Sequence, residues 1–167
     1  MKTIDSLISF KNPIGTQIPN INLYMDQLLE YFDHTLGDLK RQNEDAVFTK
    51  TMVNNYVKSN LINAPDKKKY SHETICDLVL VYHLKRAFSI PDTTIILNAI
   101  KNDPEYYESF IKIQGAIRES LLEVIPKSLT KESAKEMLTH LSAEISIKKQ
   151  LAEQLIDYLS SDIDVQK

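Results

Sequence analysis

The chain has 167 residues, 43% hydrophobic and 26% charged, with a formal net charge of −3. It is long enough for one domain with an appendage and apolar enough to bury a core, and its near-neutral balance excludes whole-molecule attraction to nucleic acid or anionic membranes. Three glycines and six prolines argue against a sheet-rich fold, and a composition heavy in Leu, Ile, Lys and Glu favours helix.

Cys76 is the single cysteine, so no intrachain disulfide or cysteine-based metal cluster is expected, in keeping with a reducing cytoplasm. No stretch approaches the ~20 apolar residues of a membrane-spanning helix. The opening "MKTIDSLISFKNP" is broken by Asp5 and Pro13 and lacks the apolar core of a signal peptide.

Residues 1–19, with Pro13, Gly15 and Pro19, read as an irregular N-terminal arm. Asn20 is the expected N-cap of a helix that ends near Gly37 or a little beyond. Ile21, Met25, Leu28, Phe32, Leu36 and Leu39 recur along it every three or four residues. After a polar stretch, Thr49 caps a short helix whose apolar face is Met52, Val53, Tyr56 and Val57. Asn and Thr are mediocre helix formers, so this helix needs tertiary support.

Pro65-Asp66 is turn chemistry, and Lys67 to Tyr70 is long enough for a short strand. Ser71 caps a third helix with Glu73 in its first turn. The run "ICDLVLVYHLKRAF" is apolar on more than one face, which marks that helix as central. "SIPDTTIILNAI" restarts a helix with Pro91 in its first turn. Asp103-Pro104 is the expected N-cap and N1 pair of a helix bearing Tyr106, Phe110, Ile113, Ile117 and Leu121 that stops before Pro126. Thr130 caps another, with Met137, Leu138 and Leu141 inward. A last helix carries Ile147, Leu151, Leu155 and Leu159.

Charge is distributed unevenly. Residues 38–70 hold seven Lys/Arg against four acids, whereas residues 102–167 hold eight against twelve. The basic excess coincides with the short Asn-rich helix and the segment after it. A short second helix followed by a lysine-bearing hairpin is the arrangement of a winged helix-turn-helix, in which that helix lies in the major groove. Asn can read adenine and Lys guanine there. Lys50, Thr51, Asn54 and Asn55 are therefore the candidate base-reading residues. Lys58 and the wing lysines Lys67, Lys68 and Lys69 suit phosphate, which needs charge without sequence readout. Tyr56 and Tyr70 join them as phenolic donors to phosphate whose rings pack.

"NYVKSNLINAP", "KKKYS" and "AFSIPDTTIIL" resemble, in order, the phrases of the MerR-type regulators. These are a recognition helix with a tyrosine near its end, a tight turn and proline, a wing, and the opening of a further helix. Lys68 stands at the wing-arginine position, Tyr70 at the second wing tyrosine, and Ala87-Phe88-Ser89-Ile90 at the last phrase. Lys67 replaces the first wing tyrosine, Asn60 replaces a glycine, the wing has no glycine, and the usual recognition-helix arginine is absent.

Across residues 19–125 the phrases "LYMDQLLEYF", "TKTMVNNYVK" and "KKKYS" look closer still to a bacterial family, domain-of-unknown-function family 1836. The resemblance implies a mainly α protein. It would have a MerR-like winged helix-turn-helix with a short β wing over residues 20–101, followed by a C-terminal helical module over 102–167.

The expected function is that of a sequence-specific DNA-binding transcriptional regulator, with double-stranded DNA as partner and a homodimer formed through the C-terminal helices. The alternative is a helical protein–protein interaction module that keeps the winged-helix scaffold without binding DNA. The four histidines are far apart, no nucleophile elbow or phosphate loop is present, and acids such as Asp103, Glu105 and Glu108 belong at a helix start. No catalytic residue, metal or cofactor is expected.

Overall fold

A computed structural model of the chain describes residues 4–40, 46–126 and 128–164. The first three residues of the arm, and Arg41, Glu44 and Asp45 of the charged stretch, lie outside them. The chain divides into two compact units, Met1–Glu119 and Ser120–Lys167.

The first unit contains α1 (Ile4–Ile8), β1 (Leu23–Tyr24), α2 (Met25–Leu36), α3 (Lys50–Lys58), β2 (Lys69–Tyr70), α4 (His72–Leu84), α5 (Ile90–Ile100) and most of α6 (Tyr106–Val124). The fold is mainly helical, with one two-stranded antiparallel sheet among the described residues, in which Leu23 faces Tyr70 and Tyr24 faces Lys69. The expected N-cap at Asn20 is displaced by that sheet. Residues 23–24 are drawn into strand pairing, α2 starts after them, and the Gln27 side chain accepts a 3.0 Å hydrogen bond from the Tyr24 amide.

Helix α4 is the axis of the core. Ile75, Leu78, Val79, Leu80 and Val81 are completely buried, as a helix apolar on several faces requires. Around it pack Leu28, Phe32 and Leu36 of α2, Val53 and Tyr56 of α3, and Leu97 of α5. Phe48 joins three layers, edge-on to Phe32 at 4.9 Å, Tyr82 at 6.0 Å and Tyr56 at 6.2 Å. Burial of aromatics in such edge contacts contributes about 0.5–1.5 kcal/mol per pair beyond area.

One charge is sunk in this core. Asp77 is fully buried, and its carboxylate accepts from Lys101 Nζ at 2.8 Å and Tyr106 Oη at 2.9 Å. Burial pushes its pKa up against the pull of Lys101 and Tyr106.

The N-terminal arm is not loose. The Tyr107 hydroxyl donates to the Pro13 carbonyl at 2.6 Å, and Asn12 bridges His83 of α4 and Gln114 of α6 at 2.8 and 2.7 Å. Ahead of α6, the Asp103 side chain accepts from the Glu105 amide at 2.9 Å. The helix begins at Tyr106, two residues later than the Asp103-Pro104 pair suggests.

The second unit holds the end of α6 and one long helix, α7 (Lys131–Asp164). Thr130 and Ser133 cap it reciprocally at 3.0–3.1 Å. Two helices were expected here. Nothing between Lys131 and Asp164 is a glycine or proline, so there is no local reason to stop, and the helix continues for about 50 Å. Leu121 and Val124 share a groove with Met137 and Leu141. Leu138 was expected inward and is instead 66% exposed. Ile147, Leu151, Leu155 and Tyr158 are exposed as well. No described helix is long and apolar enough to cross a membrane.

Candidate nucleic-acid interface

Helix α3 is built as its residue types require. The Thr49 hydroxyl accepts from the Met52 amide at 3.2 Å. At the other end the Leu61 amide reaches back to the Tyr56 carbonyl at 2.9 Å and the Asn60 amide to the Val57 carbonyl at 3.1 Å. These are the two bonds of a Schellman stop. Asn60 sits in the left-handed region at φ 55°. Asparagine, like glycine, tolerates that conformation. The entry to the helix is held by Asp33 of α2, whose side chain accepts from the Val47 amide at 3.1 Å.

Val53 and Tyr56 face the core, and Met52 and Val57 lie half-buried beside them. Lys50, Thr51, Asn54, Asn55 and Lys58 are all exposed. At 3.6 residues per turn these five cover an arc of about 140°. The four candidate base readers thus share one solvent face with Lys58.

The lysine triplet forms a two-residue turn. The Lys69 amide donates to the Asp66 carbonyl at 2.8 Å, and Lys67 and Lys68 both have positive φ, 45° and 67°. This pattern belongs to a type I′ turn, which ordinarily takes Asn-Gly. The expected strand over Lys67–Tyr70 is therefore shorter, with only Lys69 and Tyr70 in β2. Lys67 and Lys68 occupy the exposed tip. Lys69 is half-buried, with its ammonium 4.9 Å from the centre of the Tyr24 ring.

Two contacts bring the helix and the turn to one corner. Lys50 Nζ lies 2.7 Å from Asp26 Oδ1 at the start of α2, and Lys69 leans on Tyr24 two residues earlier. Both partners of the Lys50 pair are well exposed, 62% and 81%. Such a pair contributes ~0–1 kcal/mol and releases its lysine easily. Asp26 and Tyr24 escaped the sequence reading because only the strand pairing and the packing of α2 against α3 put them there.

The tyrosines are placed differently from expectation. Tyr56 is 4% exposed and Tyr70 3%. Burial raises both phenol pKa values. They are core rings that anchor α3 and β2, set inward from the exposed lysines. Cys76 is also buried, 3.7 Å from His72 Nε2, with burial and the nearby Asp77 pushing its thiol up to about 12. It is an inert core thiol. Among the described residues no group of three His, Cys, Asp or Glu is placed to hold a metal ion.

A family model described as a domain of unknown function, DUF1836, matches residues 14–119. The chain belongs to the DUF1836 family. The matched region takes in both elements of the basic corner and the whole aromatic core around Phe48. No curated protein and no solved structure matches the chain.

Proposed function

We propose that this DUF1836 chain is a sequence-specific DNA-binding transcriptional regulator of MerR-like winged helix-turn-helix type, working in the cytoplasm. Helix α3 enters the major groove, and the Lys67–Lys68 tip meets phosphate as a minimal wing. The observation that carries this reading is the joining of the exposed α3 face to the lysine turn through the Tyr24–Asp26 corner. Lys50, Thr51, Asn54 and Asn55 read base edges, while Lys58, Lys67, Lys68 and Lys69 neutralise backbone charge.

Selection of bound fragments from a random duplex pool, followed by titration against salt, tests it. Affinity for the selected site falls with a log–log slope near −0.9 per phosphate contacted. Replacing Asn54 or Asn55 with Ala relaxes preference at one base by ~1–3 kcal/mol, and replacing the lysines weakens all sequences alike. A selection that yields no enriched site, with no mobility shift of random duplex at micromolar protein and low salt, removes the proposal.

A second reading is favoured by one observation. Ile147, Leu151, Leu155 and Tyr158 make a stripe on α7, each between 55% and 65% exposed. Isolated exposed apolar residues are ordinary, but a run at spacings of four, four and three marks an interaction face. Within the regulator reading, that face is where two copies meet, so that two α3 helices address two half-sites. Within the rival reading, it is the docking face of a protein-interaction module that does not bind DNA. Leu151→Glu with Leu155→Glu separates them. The regulator drops from twice 19.2 kDa to 19.2 kDa in light scattering and loses affinity for the paired site. The rival shows no DNA affinity before or after.

A further inference from the structure

Lys50 stands where a helix least favours a cation. It is the first residue of α3, directly after the Thr49 cap, and the first turn of α3 carries no acid. The start of a helix bears partial positive charge and favours carboxylates. The missing acid comes from another helix. Asp26, in the first turn of α2, places Oδ1 2.7 Å from Lys50 Nζ.

This pair does little for the fold. Both side chains are largely exposed, and exposed pairs add little to stability. The packing of α2 against α3 rests instead on buried rings, with Phe48 edge-on to Phe32 and to Tyr56. What the pair does change is the chemistry of the ammonium. A lysine has three N–H donors and no acceptor. Asp26 takes one of them and leaves the others facing solvent on the α3 side.

The remaining donors do not treat all acceptors alike. Two oxygens bound to one ammonium lie about 4–5 Å apart, well inside the ~8 Å screening length at physiological salt. A phosphate oxygen there is repelled by the Asp26 carboxylate. Guanine N7 and O6 are neutral acceptors and meet no such repulsion. An acid held on the lysine therefore turns it from backbone charge towards base edges.

We propose that Asp26 is a specificity-determining residue of the nucleic-acid interface, which shares the Lys50 ammonium with a base edge and withholds it from phosphate. The inference rests on the DNA-binding reading and adds to it a penalty on indiscriminate contact, the repulsive element that discrimination between partners needs. Asp26 touches no base itself and acts through Lys50.

The test uses the full chain as wild type, Asp26→Asn, Asp26→Ser, Lys50→Gln and the double variant Asp26→Asn with Lys50→Gln. Thermal unfolding identifies the variants that are folded, and two different replacements of an exposed side chain guard against the loss of one. Fluorescence anisotropy over a salt series then compares random-sequence duplex with the fragment that wild type selects.

Both Asp26 variants are expected to bind random duplex about three- to tenfold more tightly at low salt. Their log–log salt slope steepens by up to about 0.9, one phosphate's worth. Affinity for the selected fragment rises less, so the ratio of specific to random binding falls. In the Lys50→Gln background the removal of Asp26 changes random binding by less than about twofold, because the ammonium it guarded is gone. Random binding that is unchanged or weaker in both Asp26 variants overturns the inference. So does an equal gain on random and selected duplex, or the same gain with and without Lys50. In each of those cases wild type still binds DNA and the regulator reading stands. If neither wild type nor the Asp26 variants shift any duplex, that reading fails and this inference falls with it.

Discussion

In the proposed regulator the Lys67-Lys68 turn sets stability against binding, and replacing it with Asn-Gly tests both at once. Both lysines sit at positive φ, where an L residue with a β-carbon is disfavoured by roughly 1–2 kcal/mol. Asn adopts this conformation at less cost and Gly at almost none. Glycine's greater freedom in the unfolded chain takes back about 0.5–1 kcal/mol. The double change Lys67→Asn, Lys68→Gly therefore stabilises the fold by about 1–2 kcal/mol. That is a Tm rise of roughly 2–4 °C per kcal/mol for a chain of this size. Tyr70, Lys69 and the Asp66–Lys69 hydrogen bond are untouched. The same change removes two ammonium groups from the exposed tip, and the salt slope of DNA binding becomes shallower by about 1.8. Urea denaturation and fluorescence anisotropy on the same preparation give the two quantities. A more stable variant whose salt slope is unchanged refutes the phosphate role. A less stable variant refutes the turn geometry.

At the end of α3, Asn60→Gly leaves stability within about 0.5 kcal/mol of wild type, whereas Asn60→Val lowers it by roughly 1–2 kcal/mol, because valine resists φ 55°; chemical denaturation distinguishes them. His83 is held neutral, its pKa lowered to about 4 by burial and then by Arg118 and Arg86. A folded pKa below the unfolded value of about 6.5 means that the unfolded chain binds the proton first. Its contribution is complete above pH 6.5 and is lost as pH falls from there towards 4, by about 2–3 kcal/mol. His83→Gln flattens that part of the pH–stability curve, and a curve as steep as wild type in the variant would place the effect elsewhere. Phe48→Ala, which empties the meeting point of α2, α3 and α4, costs about 3–5 kcal/mol in the same assay.

The sequence by itself determined what depends on neighbours within a few positions. Thr49 and Ser71 were readable as caps because a hydroxyl needs only the amide three residues on, and both accept it, at 3.2 and 3.3 Å. The central place of α4 followed from apolar residues on several of its faces, and the outward arc of α3 from a period of 3.6. The tertiary structure decided whatever joins distant segments. It paired Leu23–Tyr24 with Lys69–Tyr70, closed Tyr56 and Tyr70 into the core, and set Asp26 against Lys50. It also ran residues 131–164 as one helix, where periodicity alone suggested two. Strand partners and burial depend on which surfaces exclude water together, and a residue's nearest neighbours in sequence do not specify that.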